Sequence, residues 1–107
     1  MEKPNLRYIE QLARGDESVK NTLIDVIKTE FPEEQKEYVK SIEAENFKEI
    51  EGNVHRIKHK FSILGLEISY HKANEFEKNL REQQLCPDQK KDFDKILLTI
   101  SQFLKTI

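Results

Sequence analysis

Hydrophobic residues recur along most of the chain at steps of three and four residues, which is the period of an amphipathic helix. The clearest run has successive steps of 3, 4, 3, 4 and 3 residues and consists of Phe47, Ile50, Val54, Ile57, Phe61 and Leu64. This spacing matches the core positions of a helix in a bundle. The segment 47–64 is therefore predicted to be a long helix with one apolar stripe.

Four other segments have the same helical period, and they cover residues 4–13, 16–44, 66–80 and 87–107. Gly15 can end the first helix in the left-handed conformation, and Asp16 can cap the second. Proline lacks a backbone N–H and crowds the preceding turn, so Pro32 predicts either a bent second helix or two collinear pieces.

Residues that start and stop helices also frame the last three segments. Asn46 is followed three residues later by Glu49, which is the spacing of a capping box at the start of the central helix. Gly65 is expected to end that helix, and Pro87 to open the last one at a first-turn position. Long helices joined by short links pack as antiparallel neighbours. The expected fold class is thus all-α, an antiparallel four-helix bundle with a short N-terminal capping helix.

Composition agrees with this class and limits the number of domains. A chain of 107 residues supports one hydrophobic core, so residues 1–107 are expected to form a single domain. Three glycines and three prolines are too few for the frequent turns of a β-sandwich or barrel. The charged fraction of 36% suits helices whose outer faces lie in water.

Charge and segment content exclude several function classes. The 18 Lys and Arg are interspersed with 20 Asp and Glu, so nucleic acid is not an expected partner. No signal peptide or membrane-spanning segment is recognisable, and we expect a stand-alone cytoplasmic protein that does not bind membranes. Cys86 is the single cysteine, which excludes an internal disulfide and leaves a free thiol at a helix entrance.

Candidate chemistry lies on the outer face of the central helix. On a helical wheel His55 points roughly 135° away from the apolar stripe, and His59 lies nearly opposite to it. Lys58 follows His55 by three residues and is therefore its neighbour on the helix surface. A neutral imidazole is a competent nucleophile near pH 7, and a nearby ammonium suits incoming phosphoryl oxygens. His71 is expected to be an ordinary exposed histidine.

A metal site is the main alternative for this face, because Glu51, His55 and His59 follow one another at four-residue spacing. Histidines four residues apart can chelate one ion. Eight residues of helix rise about 12 Å, however, so Glu51 and His59 cannot easily share an ion. We therefore expect no metal. The chain also lacks the phosphate loops and nucleophile elbows of conventional enzymes.

The same residues carry a resemblance to a known family. His55, Lys58 at plus three and Gly65 at plus ten resemble the signature of histidine-containing phosphotransfer (HPt) domains. Comparable residues occur at Gly15 and Asp16, at Asn46 and at Phe76 and Glu77, so that the resemblance covers about residues 8–82.

The resemblance implies a phosphorelay intermediate in two-component signal transduction. His55 would accept a phosphoryl group from the aspartyl phosphate of a receiver domain and pass it to another receiver, with Lys58 beside the phosphate. The expected partners are response-regulator receiver domains and a hybrid histidine kinase, and the expected docking residues are Glu51, His59, Ser62 and Ile63. The chain itself would be a monomeric carrier without ATPase or kinase activity, and without a cofactor of its own, because the receiver supplies Mg²⁺.

The chain departs from the family pattern directly after the signature lysine. His59, Lys60 and Phe61 stand where the family usually has glycine and small residues. An imidazole at position 59 stands in or beside the path of an approaching receiver. The alternative hypothesis is therefore an adaptor bundle that binds a receiver or a partner helix without phosphoryl transfer.

Overall fold

The computed structural model describes residues 2–107, which form five α-helices and no strand. The helices are α1 (Arg7–Ala13), α2 (Glu17–Glu43), α3 (Phe47–Ile63), α4 (Glu67–Arg81) and α5 (Pro87–Leu104). The all-α prediction is confirmed, and each predicted segment corresponds to one helix. Helix α1 starts later than predicted, and α5 ends earlier.

The predicted capping residues explain where two of the long helices begin. The Asp16 carboxylate accepts hydrogen bonds from the backbone N–H groups of Ser18 and Val19, at 2.9 and 3.2 Å. The Asn46 side chain accepts one from the N–H of Glu49 at 3.2 Å. The backbone N–H of Asn46 donates to the Ser41 carbonyl instead, so only one half of the predicted capping box forms.

Helix α2 runs without interruption through Pro32, so of the two predicted forms the structure has the single helix and excludes the two separate pieces. Proline in a helix interior costs about 3 kcal/mol. Phe31 lies directly before Pro32 and Tyr38 lies about two turns further on, and both side chains are buried in the core. Because burial of such side chains stabilises the fold by a similar amount each, it offsets the cost of the proline and α2 continues past Pro32.

The turn between α3 and α4 requires glycine at position 65. Gly65 has a φ of +75°, in the left-handed region that side chains disfavour. A Cβ atom there would also lie 2.5 Å from Nδ2 of Asn5. The backbone N–H of Asn5 donates to the Leu64 carbonyl at 2.9 Å. Gly65 therefore ends α3 as predicted, and it also leaves room for the N-terminal segment.

Glu2 caps α4 from the far end of the chain. Its carboxylate oxygens accept hydrogen bonds from the backbone N–H groups of Ile68 and Ser69, at 2.9 and 2.8 Å. Partial burial opposes ionisation, but these hydrogen bonds outweigh it and lower the pKa of Glu2. The first turn of α4 thus obtains the cap that the adjacent Leu66 cannot provide.

The helices pack around a common core into which α5 inserts a central aromatic ring. Helix α3 packs mainly against α2 and α4, α5 contacts α4 and α2, and α1 lies on α2. The ring of Phe93 lies 5.1 to 5.4 Å from the rings of Tyr38, Phe61 and Phe76. These four residues come from α2, α3, α4 and α5, so one aromatic cluster joins all the long helices. The predicted stripe of α3 forms the middle of this core.

Two further expectations can be compared with the described residues. Cys86 is the N-cap residue of α5 with a free thiol, as predicted, and its side chain is half-buried. Within residues 2–107, no helix combines the length and hydrophobicity that crossing a membrane requires.

Candidate functional site

Helix α3 holds His55 at the surface because its apolar stripe is fixed in the core. Ile50, Val54 and Ile57 are fully buried, which sets the rotation of the helix around its axis. The His55 side chain is 52% exposed. The wheel prediction that His55 faces outward is thus confirmed.

A buried carboxylate from α4 holds the His55 ring. Oε1 of Glu77 lies 2.8 Å from Nδ1 of His55, although the Glu77 side chain itself is only 6% exposed. A carboxylate is an acceptor, so the ring nitrogen facing it carries the proton. In the neutral ring, Nε2 then has the free electron pair and lies on the side remote from Glu77.

Lys58 is the other side chain of α3 that contacts Glu77. Its ammonium nitrogen lies 2.6 Å from Oε2 of Glu77 and donates to Oδ1 of Asn74 at 2.7 Å. The sequence places Lys58 beside His55 on the helix surface, but the structure turns its ammonium into the interface with α4, where the side chain is 11% exposed. The reason is the buried charge of Glu77, which needs a cationic partner where water is excluded.

The electrostatics of Glu77 follow from its two neighbours. Burial alone would raise its pKa, but the hydrogen bonds from Lys58 and His55, together with their charges, outweigh burial and lower it. Arg81, one turn further along α4, adds a second permanent cation beside Lys58, at 3.5 Å from Oε1 of Glu77. Glu77 is therefore a carboxylate at neutral pH and a permanent acceptor for the Nδ1 proton.

The side chains of the three residues that depart from the HPt pattern have different surroundings. His59 is exposed, and its ring lies edge-on to that of His55 with 5.0 Å between the ring centroids. The Lys60 ammonium turns away to α2, where it pairs with Glu30 and Glu34 at 3.0 and 3.3 Å. Phe61 is part of the core. Of the three, only His59 shares the surface with His55.

The remaining predicted docking residues have mixed surroundings. The carboxylate of Glu51 pairs with Arg81 at 3.2 Å, Ser62 is exposed, and Ile63 is half-buried against the core.

No group of three or more His, Cys, Asp and Glu side chains within residues 2–107 could hold a metal ion. His71, on α4, is exposed as predicted.

From the sequence, Glu77 is only a position comparable to the HPt family and has no predicted role. A signal for its role was present. Ala73, Phe76 and Leu80 form the apolar stripe of α4, and Glu77 lies between Phe76 and Leu80 on the same inward side. A carboxylate on the apolar face of a helix needs a buried cation or hydrogen-bond donors. This pattern predicts an ion pair, although it cannot identify the partner.

The site as a whole presents one imidazole nitrogen to solvent above a buried Glu77 and Lys58 pair. Comparison of the chain with protein-family models, with curated proteins and with solved structures gives no match.

Proposed function

We propose that this chain is a histidine-containing phosphotransfer domain that carries a phosphoryl group on His55 between receiver domains. It acts as a covalent carrier and has no ATPase or kinase activity of its own. The donor is the aspartyl phosphate of a receiver, for example that of a hybrid histidine kinase, and the acceptor is the aspartate of another response-regulator receiver.

The observation that carries this proposal is the hydrogen bond between Glu77 and Nδ1 of His55. With Nδ1 protonated and held, Nε2 attacks the phosphorus, so that an N–P bond forms while the acyl phosphate P–O bond breaks and the receiver aspartate leaves as a carboxylate. The ring gains positive charge in this step, and the Glu77 carboxylate faces that charge. The Mg²⁺ belongs to the receiver.

Lys58 has an indirect role in this proposal. Its ammonium is held by Glu77 and Asn74 below the surface, so it keeps Glu77 ionised and in place for His55. The resemblance implied a lysine beside the phosphate. The contacts of this chain support a lysine that positions the carboxylate instead.

The finer architecture is part of the same proposal. We place α2, α3, α4 and α5 in an antiparallel four-helix bundle with α1 across one end, because short links join long amphipathic helices. Such a bundle holds the His55 nucleophile on a rigid helix, and the receiver supplies its aspartate and the Mg²⁺. The protein would work as a monomer in the cytoplasm, where it would meet its receivers.

The test is phosphoryl transfer from Mg²⁺-loaded, phosphorylated receiver domains, followed by intact mass and phosphorus NMR. We expect an acid-labile phosphate that His55→Gln abolishes and His71→Gln retains, because His71 is an exposed histidine on another helix. Circular dichroism checks that both variants stay folded. Equal labelling of wild type and His55→Gln would overturn the proposal, and receiver binding without labelling would indicate the adaptor function.

A further inference from the structure

The His59 side chain is exposed, and its ring contacts the ring of His55. The two rings are 5.0 Å apart at their centroids and nearly perpendicular, with an interplanar angle of 89°. Among residues 2–107, His59 has no hydrogen bond or ion pair, so its ring nitrogens are available to a ligand. We propose that His59 is a phosphoryl-contacting residue that donates an imidazole N–H to a phosphoryl oxygen carried on His55.

This inference rests on the proposed function and on the position of the reacting nitrogen. Glu77 engages Nδ1 of His55, so the phosphoryl group is attached to Nε2, the ring nitrogen remote from Glu77. A phosphoryl group adds three acceptor oxygens and negative charge outside the protein surface. The neighbouring His59 ring, one helical turn along the same face, lies where an N–H can reach such an oxygen.

The cationic side chains of α3 near this position are engaged elsewhere. The ammonium of Lys58 lies 2.6 Å from the Glu77 carboxylate, and that of Lys60 lies 3.0 Å from Glu30 on α2. Both side chains are about nine-tenths buried. Lys58 neutralises the buried Glu77, and Lys60 pairs with the exposed Glu30 and also with the half-buried Glu34 at 3.3 Å. Moving either ammonium to the surface would leave a carboxylate of low exposure unpaired.

The two arginines close to the site are also paired. The guanidinium of Arg56 donates to the side-chain oxygen of Asn53, in the preceding turn of α3. The guanidinium of Arg81 bridges Glu51 and Glu77. These donors already have acceptors, whereas the exposed imidazole of His59 has none among the described residues and lies one turn from His55.

The contact predicts a longer-lived phosphohistidine. Loss of the phosphoryl group passes through a loose, metaphosphate-like transition state in which the nonbridging oxygens lose negative charge. A hydrogen bond to one of these oxygens is therefore stronger in the ground state than in the transition state, and it slows the loss. His59 makes and breaks no covalent bond in this scheme.

The experiment measures the lifetime of the phosphorylated protein in the full chain, with phosphoramidate as a small-molecule phosphoryl donor that needs no receiver. Labelled protein is freed of donor, and the decay of the phosphohistidine signal is followed by phosphorus NMR, with His55→Gln confirming the labelled position. We expect His59→Ala to shorten the lifetime by about threefold or more, which corresponds to one ordinary hydrogen bond. His59→Gln keeps an N–H donor and should retain most of the lifetime, while His71→Ala should leave it unchanged.

The outcomes separate this inference from the proposed function. A lifetime of His59→Ala within the error of wild type overturns the contact, even if receivers label His55. Failure of every receiver to label the protein overturns the proposed function, while the phosphoramidate decay still decides the contact. Absence of labelling at His55 by phosphoramidate as well as by receivers overturns both.

Discussion

Glu77 lies on the inner face of α4, where a charged side chain needs partners that replace water. It has them in Nδ1 of His55 and the ammonium of Lys58, at 2.8 and 2.6 Å. The same carboxylate therefore stabilises the α3–α4 interface and sets the proton position on the exposed imidazole. Removing its charge should affect both stability and reactivity.

We predict that Glu77→Gln lowers the free energy of unfolding at pH 7 by about 1–3 kcal/mol, because Lys58 loses its buried counterion. It should also slow phosphoryl acceptance by about tenfold, since a neutral amide stabilises the charged ring less well. Urea denaturation and the rate of labelling measure the two effects. Glu75→Gln, an exposed glutamate on the same helix, is the matched control and should change neither.

The same variant should change the pH dependence of stability. The pKa of Glu77 is lower in the folded protein than its ordinary value. Its stabilising contribution is therefore complete above the ordinary pKa and is lost as the pH falls through the folded-state pKa. The difference between wild type and Glu77→Gln should shrink below about pH 4. A difference that stays constant from pH 7 into this range would contradict the role of the charge.

Helix α3 contains one glycine in its interior and is followed by another, and the two have opposite surroundings. Gly52 lies exposed in the helix, and a Cβ atom there would meet no neighbouring side chain or helix within 4 Å. Gly65 has a φ of +75° and faces the side chain of Asn5. Helix α3 is thus less stable because Gly52 loses more backbone entropy on folding than other residues do. The end of the helix depends on the left-handed conformation of Gly65.

We predict that Gly65→Ala destabilises the protein by about 1–2 kcal/mol from the left-handed backbone alone, with displacement of Asn5 adding to the loss. Gly52→Ala should stabilise it by about 1 kcal/mol, because alanine is the better residue in a helix interior. Thermal and urea denaturation of the two variants provide the comparison. Shifts of the same sign would show that the ends of α3 are not determined by the turn at Gly65.

At the scale of the whole molecule, the aromatic cluster around Phe93 joins the four long helices. Its ring contacts those of Tyr38, Phe61 and Phe76, and its side chain is almost completely buried. The connection matters because α5 has its main contact with α4 and a smaller one with α2. Phe93 is therefore the residue of α5 whose ring meets an aromatic ring from each of the other long helices, while Ile96, Leu97, Ile100 and Leu104 add aliphatic contacts to the core.

We predict that Phe93→Ala lowers the free energy of unfolding by about 3–5 kcal/mol through loss of buried surface and the cavity left behind. This is a large part of the stability of a small domain, which is about 5–15 kcal/mol in total. Leu98→Ala, on the same helix but 58% exposed, should change stability by less than about 0.5 kcal/mol. Equal losses in the two variants, measured by urea denaturation, would contradict the central position of Phe93.

The helices themselves were predictable because they depend on local interactions. The period of the apolar residues, the caps Asp16 and Asn46 and the turn at Gly65 act within a few residues, and the structure confirms them. At Pro32 the local pattern left one bent helix and two collinear pieces open, and the burial of Phe31 and Tyr38, which is a tertiary effect, accounts for the unbroken helix.

The sequence by itself thus determined five amphipathic helices and the outward position of His55, since each follows from spacing along one helix. The tertiary structure alone decided that Lys58 turns inward to Glu77, that Lys60 pairs with α2, and that Glu77 holds the imidazole. These contacts join residues on different helices, and they depend on how the helices are rotated and shifted against one another. Packing of the whole core sets that relative position, and no local pattern in the chain encodes it.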